Sequence, residues 1–309
     1  MKNEFDVSPL KKKMLQEEYL KKVQRGKTPT KEKHLTILTG LPGSGKTTMS
    51  EKLLKEDKNQ VVLGSDDFYA LFPNIFELYK KYPSSLNSKE ASAQEHDRVE
   101  DFVCENFDEV FAKTMAQGYN IIADVQTNDS LLVYIKIAQE LGYKVDVKFM
   151  TAPKRQIETN IVSRHMQGVY RFEQALSGKL PQTGANIPHH FSQLRIPSSY
   201  VEEIKLVLKR IEKQGAGLEV INGINEQILY SGEKNKNPAE AFEQELNRDL
   251  TTQERLRQKS QLAKIRLLSK RITLRKEAWK TTQRSQSRDY SAQVGHEKYY
   301  QHIINNLER

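Results

Sequence analysis

Residues 40–47 read Gly-Leu-Pro-Gly-Ser-Gly-Lys-Thr and match the pattern G-x-x-x-x-G-K-[ST] at every fixed position. The apolar, β-branched stretch His34–Thr39 precedes the pattern and predicts a buried strand, and Thr47–Lys55 after it predicts a helix. A glycine loop between a strand and a helix is the context that this motif requires. The stretch therefore predicts a P-loop, which binds the phosphates of a nucleoside triphosphate.

Each residue type in this loop has a physical role. Glycines allow positive φ and bring backbone N–H groups against phosphate oxygens, and the following helix directs its positive dipole end at the same anion. Lys46 supplies a charge to the β- and γ-phosphates, and the Thr47 hydroxyl can reach Mg²⁺. We therefore expect ATP and Mg²⁺ as cofactors. The predicted nucleotide-binding residues are Gly40, Leu41, Pro42, Gly43, Ser44, Gly45, Lys46, Thr47 and Thr48.

Strand and helix patterns alternate on both sides of the loop. This alternation predicts an α/β fold with a P-loop kinase-like parallel sheet flanked by helices. Further strands are predicted at Val61–Gly64, Asn120–Asp124 and Lys144–Met150, with candidate edge strands at Leu218–Asn222 and Gln227–Tyr230. Further helices are predicted at about 89–116, Leu131–Leu141, about 154–168, Val201–Lys213 and, without a break, from Pro238 to about 281.

Charge divides the chain into three parts. Residues 1–33 carry a net charge of +5, residues 34–246 carry −5, and residues 247–309 carry +9. We therefore predict a basic N-terminal helical arm, a P-loop kinase domain and a basic helical C-terminal extension. In the arm, residues 9–25 place Leu10, Met14, Leu15, Tyr19 and Val23 at helical spacing. Basic ends are typical of solvated helix faces, and they also suit nucleic acid, an acidic membrane or an acidic protein.

Several protein classes are disfavoured by composition. The chain has no apolar run of 18 residues, which argues against a transmembrane segment, and its first residues lack a secretory pattern. Cys104 is the only cysteine, which excludes an intrachain disulfide and a cysteine-rich metal site. A cytoplasmic location is the expectation.

Carboxylates follow two of the predicted strands. Asp66 and Asp67 come after Val61–Gly64, and a carboxylate at this edge can accept the proton of a substrate hydroxyl during phosphoryl transfer. We predict Asp66 as the catalytic base and Asp67 as a helix cap, a support or a substrate ligand. Asp124 ends the third strand and could hold Mg²⁺ through water, with a turn-forming aspartate as the alternative.

Two arginines lie near a stretch that is rich in glycine and proline, at about 169–198, which we interpret as a lid. Arg164 precedes this stretch and Arg171 lies within it. Arginine suits the developing charge of a transferring phosphoryl group, so Arg164 is a catalytic candidate and Arg171 a substrate-binding one. Surface ion pairs are the alternative for each.

These motifs, in their order and spacing, resemble those of the zeta toxin family over residues 34–250. The resemblance rests on Thr39–Thr48, Ser65-Asp-Asp-Phe68 with Phe72-Pro73, Gly118-Tyr-Asn-Ile-Ile122, Gly142-Tyr-Lys-Val145, Ser163-Arg164, Ile221-Asn-Gly, Leu229-Tyr-Ser231 and Glu243–Arg248. It implies ATP-dependent phosphorylation of a sugar hydroxyl, with UDP-N-acetylglucosamine as the best-known substrate, and a small antitoxin as partner. It places Asp66 on the catalytic base, Lys46 and Thr47 on the nucleotide and magnesium residues, and Arg164 on a phosphate-contacting arginine.

The same resemblance marks the acceptor side. The segment from Asp124 to Asn128 stands where the family typically reads Glu-Gly-Thr and binds the acceptor, which makes Asp124 and Asn128 substrate-binding candidates. The family's lid usually carries an arginine shortly before a proline and a histidine. Residues 184–190 contain the proline and two histidines but no arginine.

Three hypotheses follow. The first is a zeta-type kinase that acts on a nucleotide sugar or another nucleotide-linked sugar. The second is a polynucleotide 5′-kinase or nucleic-acid-binding P-loop protein that uses the basic ends, whose binding would weaken with salt. The third is a non-catalytic relative that keeps the nucleotide site, which the missing lid arginine favours.

Overall fold

The computed structural model of the chain describes residues 6–81, 90–187, 196–232 and 237–282. It contains two compact units, Met1–Ala152 with Ile196–Arg248 and Pro153–Arg195 with Asp249–Arg309. The division into a basic arm, a kinase domain and a basic extension stays a prediction. No helix among the described residues is long and apolar enough to cross a membrane.

The first unit is built on one six-stranded sheet in the order β2-β3-β1-β4-β5-β6. The first five strands are parallel, and β6 runs antiparallel to β5. The predicted α/β fold with a parallel sheet flanked by helices is confirmed. The strands are β1 (His34–Gly40), β2 (Val61–Gly64), β3 (Ile121–Asp124), β4 (Lys144–Thr151), β5 (Gly217–Asn222) and β6 (Ile228–Ser231).

In the described part of the first unit, eight helices connect and cover the strands. Helix α2 packs on one face through a core cluster that includes Leu38, Met49 and Met150. The ring of Phe149, the neighbour of Met150 in β4, packs edge-on against Phe242 of α9 at 5.2 Å between centroids. The helices are α1 (Pro9–Val23), α2 (Lys46–Glu56), α3 (Asp66–Leu71), α4 (Ile75–Lys81), α5 (Glu90–Ala116), α6 (Asp129–Glu140), α8 (Ser198–Lys213) and α9 (Pro238–Asn247).

The second unit contains α7 (Lys154–Leu176), the short 3-10 helix Gly184–Asn186 and α10 (Thr252–Thr282). Within this unit α7 and α10 pack together, and Gln258 donates to the Thr159 hydroxyl at 3.0 Å. Helix α7 runs eight residues beyond the predicted end, so residues 169–176 are helical and not irregular as the glycine and proline content suggested. Residues 188–195 of the predicted lid and residues beyond 282 of the basic extension lie outside the described part.

Three other expectations need correction. The strand β5 is internal, because β6 follows it after a short turn and takes the edge position. The helix predicted from Pro238 to about 281 is broken, since Arg248 has extended backbone and a capping box starts α10. In that box, Thr251 N–H donates to Glu254 at 2.8 Å and Glu254 N–H donates to the Thr251 hydroxyl at 3.3 Å.

The N-terminal arm also differs from its apolar pattern. Helix α1 forms as predicted, but Leu10 and Met14 are 71% and 46% exposed. The buried residues of α1 are Gln16 and Tyr19. Polar bonds together with the ring contact of Tyr19 with Phe68, and not a continuous apolar stripe, therefore hold this helix in place.

Candidate active site

The glycine loop leaves β1 at Gly40 and enters α2 at Lys46, as the motif predicted. Gly40, Gly43 and Gly45 have φ values of +126°, +77° and +104°. A Cβ atom on Gly40 would lie 2.1 Å from the Met150 carbonyl oxygen, which only glycine avoids. The strand–loop–helix geometry of a P-loop is therefore present.

The side chains of the loop divide by burial. Leu41 is fully buried, and its predicted contact with a nucleotide stays a prediction. The Lys46 ammonium donates to the carbonyls of Gly40 and Leu41 at 3.2 and 3.4 Å and thus lies over the loop. Thr47 and Thr48 are exposed in the first turn of α2. A cation over the loop and exposed hydroxyls at its end fit a bound polyphosphate.

A threonine that the sequence did not single out holds the start of the loop. The hydroxyl of Thr127 accepts the Gly40 N–H at 3.0 Å and pairs with the Thr39 hydroxyl at 2.7 Å. Both threonines are fully buried. Thr127 thus joins the segment after β3 to the phosphate loop, a contact that only the folded sheet creates.

Replacing Thr127 with valine tests this support. The isosteric change leaves the buried Gly40 N–H without its acceptor, which costs about 1–3 kcal/mol of unfolding free energy. We expect that loss in a denaturant titration, together with a nucleotide affinity that is lower by several-fold.

Thr114→Val is the matched control. Thr114 is also fully buried, but its hydroxyl donates only to the Val110 carbonyl within α5. This variant should keep the nucleotide affinity of the wild type. An unchanged affinity in Thr127→Val as well would contradict a role for Thr127 in shaping the loop.

A turn after β5 contacts the backbone of the phosphate loop. A Cβ atom on Gly223 would lie 1.7 Å from the Ser44 carbonyl oxygen, so the two backbones are in direct contact. The buried Asn222 shapes this turn by accepting the Ile224 N–H at 2.7 Å and donating to Glu245 at 2.8 Å. Glu245 in turn accepts from Arg248. This chain of contacts fixes where Gly223 meets the loop.

The carboxylates predicted on the acceptor side lie at the same sheet edge as the loop. Leu38, Asp124 and Gly64 form one row across β1, β3 and β2. The loop begins two residues after Leu38, and Asp66 comes two residues after Gly64. Neighbouring strands lie about 4.8 Å apart, so β1 and β2 are separated by roughly 10 Å at this row. The phosphate loop and Asp66 therefore follow strands that end at the same row.

The two neighbouring aspartates differ in their contacts. Both are exposed in the first turn of α3, where their charge suits the helix dipole. Asp67 accepts a hydrogen bond from the Tyr19 hydroxyl at 2.7 Å. The helix N-cap position belongs to Ser65, not to Asp67 as one prediction had it, and Ser65 makes no side-chain cap bond. Asp66 is therefore the better placed of the two for a proton transfer.

Asn128 caps α6, with its side-chain oxygen accepting the Ser130 N–H at 3.1 Å. Its role in substrate binding stays a prediction. Arg164 and Arg171 both lie on α7 of the second unit, where Arg164 is half-buried and Arg171 is exposed. Their roles at the phosphates also stay predictions.

Thr47 and Asp124 were predicted as metal ligands. Thr47 places an exposed hydroxyl in the first turn of α2, and Asp124 places a carboxylate at the end of the strand next to β1. A hydroxyl and a carboxylate are the oxygen donors that Mg²⁺ prefers, so the residues present fit this ion.

The sequence is similar to known proteins along most of its length. Toxin zeta of Streptococcus pyogenes is 25% identical over 257 residues, which cover 79% of this chain and 82% of that protein. Toxin zeta of Enterococcus hirae is 24% identical over 241 residues, which cover 76% of this chain and 77% of that protein.

The fold is similar to a solved structure from the PezAT chromosomal toxin–antitoxin system of Streptococcus pneumoniae. The TM-score is 0.66 at 15% sequence identity, over 85% of this chain and 99% of that chain. The family model of the Zeta toxin family matches residues 17–189, which is more than half of the 309 residues. With the phosphate loop and the sheet that carries it, this match confirms the predicted resemblance: the chain belongs to the Zeta toxin family.

Proposed function

We propose that this chain is an ATP-dependent kinase that phosphorylates a sugar hydroxyl of a nucleotide-linked acceptor, of which UDP-N-acetylglucosamine is the first candidate. The observation that carries the proposal is the row Leu38–Asp124–Gly64, which aligns the phosphate loop with Asp66 at one sheet edge. Family membership and the similarity to proteins named Toxin zeta support it.

The transfer uses these residues in defined roles. The Asp66 carboxylate takes the proton of the acceptor hydroxyl while the oxygen of that hydroxyl forms a bond to the γ-phosphorus. The bond between that phosphorus and the β–γ bridging oxygen breaks, and ADP leaves. The loop N–H groups and Lys46 stabilise the charge on the phosphates. Mg²⁺, held by Thr47 and Asp124 when bound, would neutralise further phosphate charge.

An acceptor panel tests the proposal. The full chain is incubated with ATP, Mg²⁺ and, separately, nucleotide sugars, NAD and a 5′-hydroxyl oligonucleotide, and products are identified by mass spectrometry. Phosphorylation of a nucleotide-linked sugar is the expected result. Phosphorylation of the oligonucleotide alone would replace this function with a polynucleotide kinase. ATP binding without any product would support a non-catalytic relative.

We further propose that the chain is a toxin with a small antitoxin partner, as in the toxin–antitoxin system of the similar structure. Expression of the wild type in a bacterial host should then arrest growth, and expression of Lys46→Ala at the same level should not. Growth arrest by both proteins would show that toxicity does not depend on the nucleotide site.

A further inference from the structure

The N-terminal helix contacts the acceptor side of the site through one side chain. Tyr19 is 4% exposed, and its hydroxyl donates to Oδ2 of Asp67 at 2.7 Å. Asp67 directly follows Asp66 in the first turn of α3. A residue from outside the sheet therefore bonds the immediate neighbour of the proposed base.

Packing fixes the position of the Tyr19 ring. Its centroid lies 4.7 Å from that of Phe68, and Phe68 meets Phe107 of α5 edge-on at 6.3 Å. Burial, with the adjacent Asp67 carboxylate, raises the pKa of Tyr19 well above its ordinary value. The hydroxyl consequently stays protonated and remains a donor to Asp67 throughout the working pH range.

Helix α1 is itself held by specific bonds to α5. Buried Gln16 donates to Asn106 at 2.9 Å and accepts from Lys113 at 2.9 Å. Lys12 forms an ion pair with Glu105. Each of these bonds requires the same register of α1 along α5. Together they therefore fix the position at which Tyr19 contacts α3.

A second tyrosine holds the rest of α3. The Tyr69 hydroxyl donates to Glu100 of α5. Two tyrosine–carboxylate bonds, at Asp67 and Tyr69, thus restrain a helix of six residues. Asp66 directly precedes Asp67 in this helix and is itself exposed.

We propose that Tyr19 is a positioning residue for phosphoryl transfer, which holds Asp67 and thereby sets the direction in which α3 presents Asp66 to the acceptor. The inference rests on the proposed kinase function. It assigns Asp67 a supporting role in place of substrate binding, because one of its oxygens is engaged by α1. It also gives the N-terminal arm a part in the reaction.

Tyr19→Phe tests this inference in the full chain, because it keeps the ring and removes only the hydroxyl. We expect kcat for phosphoryl transfer to fall about 10-fold while the KM for ATP stays unchanged, since a charge-assisted hydrogen bond is lost away from the nucleotide. Tyr19→Phe combined with Asp67→Ala should be no slower than Asp67→Ala alone, because both changes remove the same bond.

Tyr143→Phe is the matched control. Its buried hydroxyl donates to the carbonyls of Met115 and Tyr119, both at 3.0 Å, and does not touch α3. This variant should lose stability and keep the wild-type kcat. An equal fall in kcat for Tyr143→Phe and Tyr19→Phe would reduce the effect to general destabilisation and overturn the inference.

Asp66→Asn, measured beside these variants, separates the inference from the function on which it rests. Rates of ATP consumption are recorded with the acceptor panel and with water alone. Full activity in Tyr19→Phe beside an inactive Asp66→Asn overturns the positioning role only. Equal rates of acceptor phosphorylation for the wild type and Asp66→Asn overturn the role of Asp66 as base and, with it, the inference, whereas a wild type that phosphorylates no acceptor overturns the proposed function.

Discussion

Replacement of Asp66 by asparagine should lower kcat for phosphoryl transfer about 100- to 10,000-fold, the range for loss of a general base. Asparagine keeps the size and a hydrogen-bonding oxygen, but it cannot accept the proton of the acceptor hydroxyl. Asp66 lies on the β2 side of the sheet edge, away from the glycine loop after β1. The affinity for ATP, measured by calorimetry, should therefore remain within about two-fold of the wild type.

Asp146→Asn is a suitable control for this experiment. Asp146 lies near the start of β4, at the end of the sheet away from the phosphate loop. There its carboxylate lies 3.7 Å from Nδ1 of His34. The substitution removes a carboxylate from the same sheet at a position away from the phosphate loop, and the variant should keep the wild-type kcat. A kcat for Asp66→Asn within a few-fold of wild type would mean that another group takes the proton.

Gly223→Ala should produce the second large effect, on nucleotide binding. The new Cβ would lie 1.7 Å from the carbonyl oxygen and 2.8 Å from the carbonyl carbon of Ser44, both backbone atoms. Either the turn or the phosphate loop must move by more than an ångström, and displacements of that size can cost about 100-fold in rate. We expect affinity for ATP to fall at least 10-fold, with about 1–3 kcal/mol of stability lost to overpacking.

Gly215→Ala is the control that separates the steric clash at Gly223 from a general loss of stability. Gly215 has φ of +73° with open space around its Cβ direction, so alanine is strained there but touches nothing. This variant should lose stability and keep its affinity for ATP. If both variants lose affinity for ATP in proportion to their loss of stability, direct contact between the turn and the loop does not determine that affinity.

The parts of the fold that were predictable are those written in local patterns. The glycine loop, β1 and α2 follow from short-range rules of spacing and β-branching, and the structure confirms them. The short helix α3 was implied only by the predicted cap at Asp67, without bounds, although the acidic pair at its start is a signal for a helix N-terminus. The break before α10 also had a signal, the Thr-x-x-Glu capping box at Thr251.

The parts of the site that were not predictable depend on contacts between distant segments. Thr127 is 87 residues from Gly40 in sequence. Gly223 meets the loop only because β5 joins the sheet beside β4. The apolar spacing of α1 included both Leu10 and Tyr19, but the structure exposes Leu10 and buries Gln16, whose partners lie on α5. Tertiary hydrogen bonds decided these positions, and no local pattern encodes them.

The most direct test of the kinase proposal is the stoichiometry of one reaction. The wild type is incubated with γ-labelled ATP, Mg²⁺ and the best acceptor of the panel, and ADP and labelled acceptor are counted in the same sample. We predict one phosphorylated sugar hydroxyl for each ADP formed, and at least about 100-fold less of both products in Asp66→Asn over the same time. ADP formed with all label released as inorganic phosphate, at the same rate in both proteins, would contradict the account.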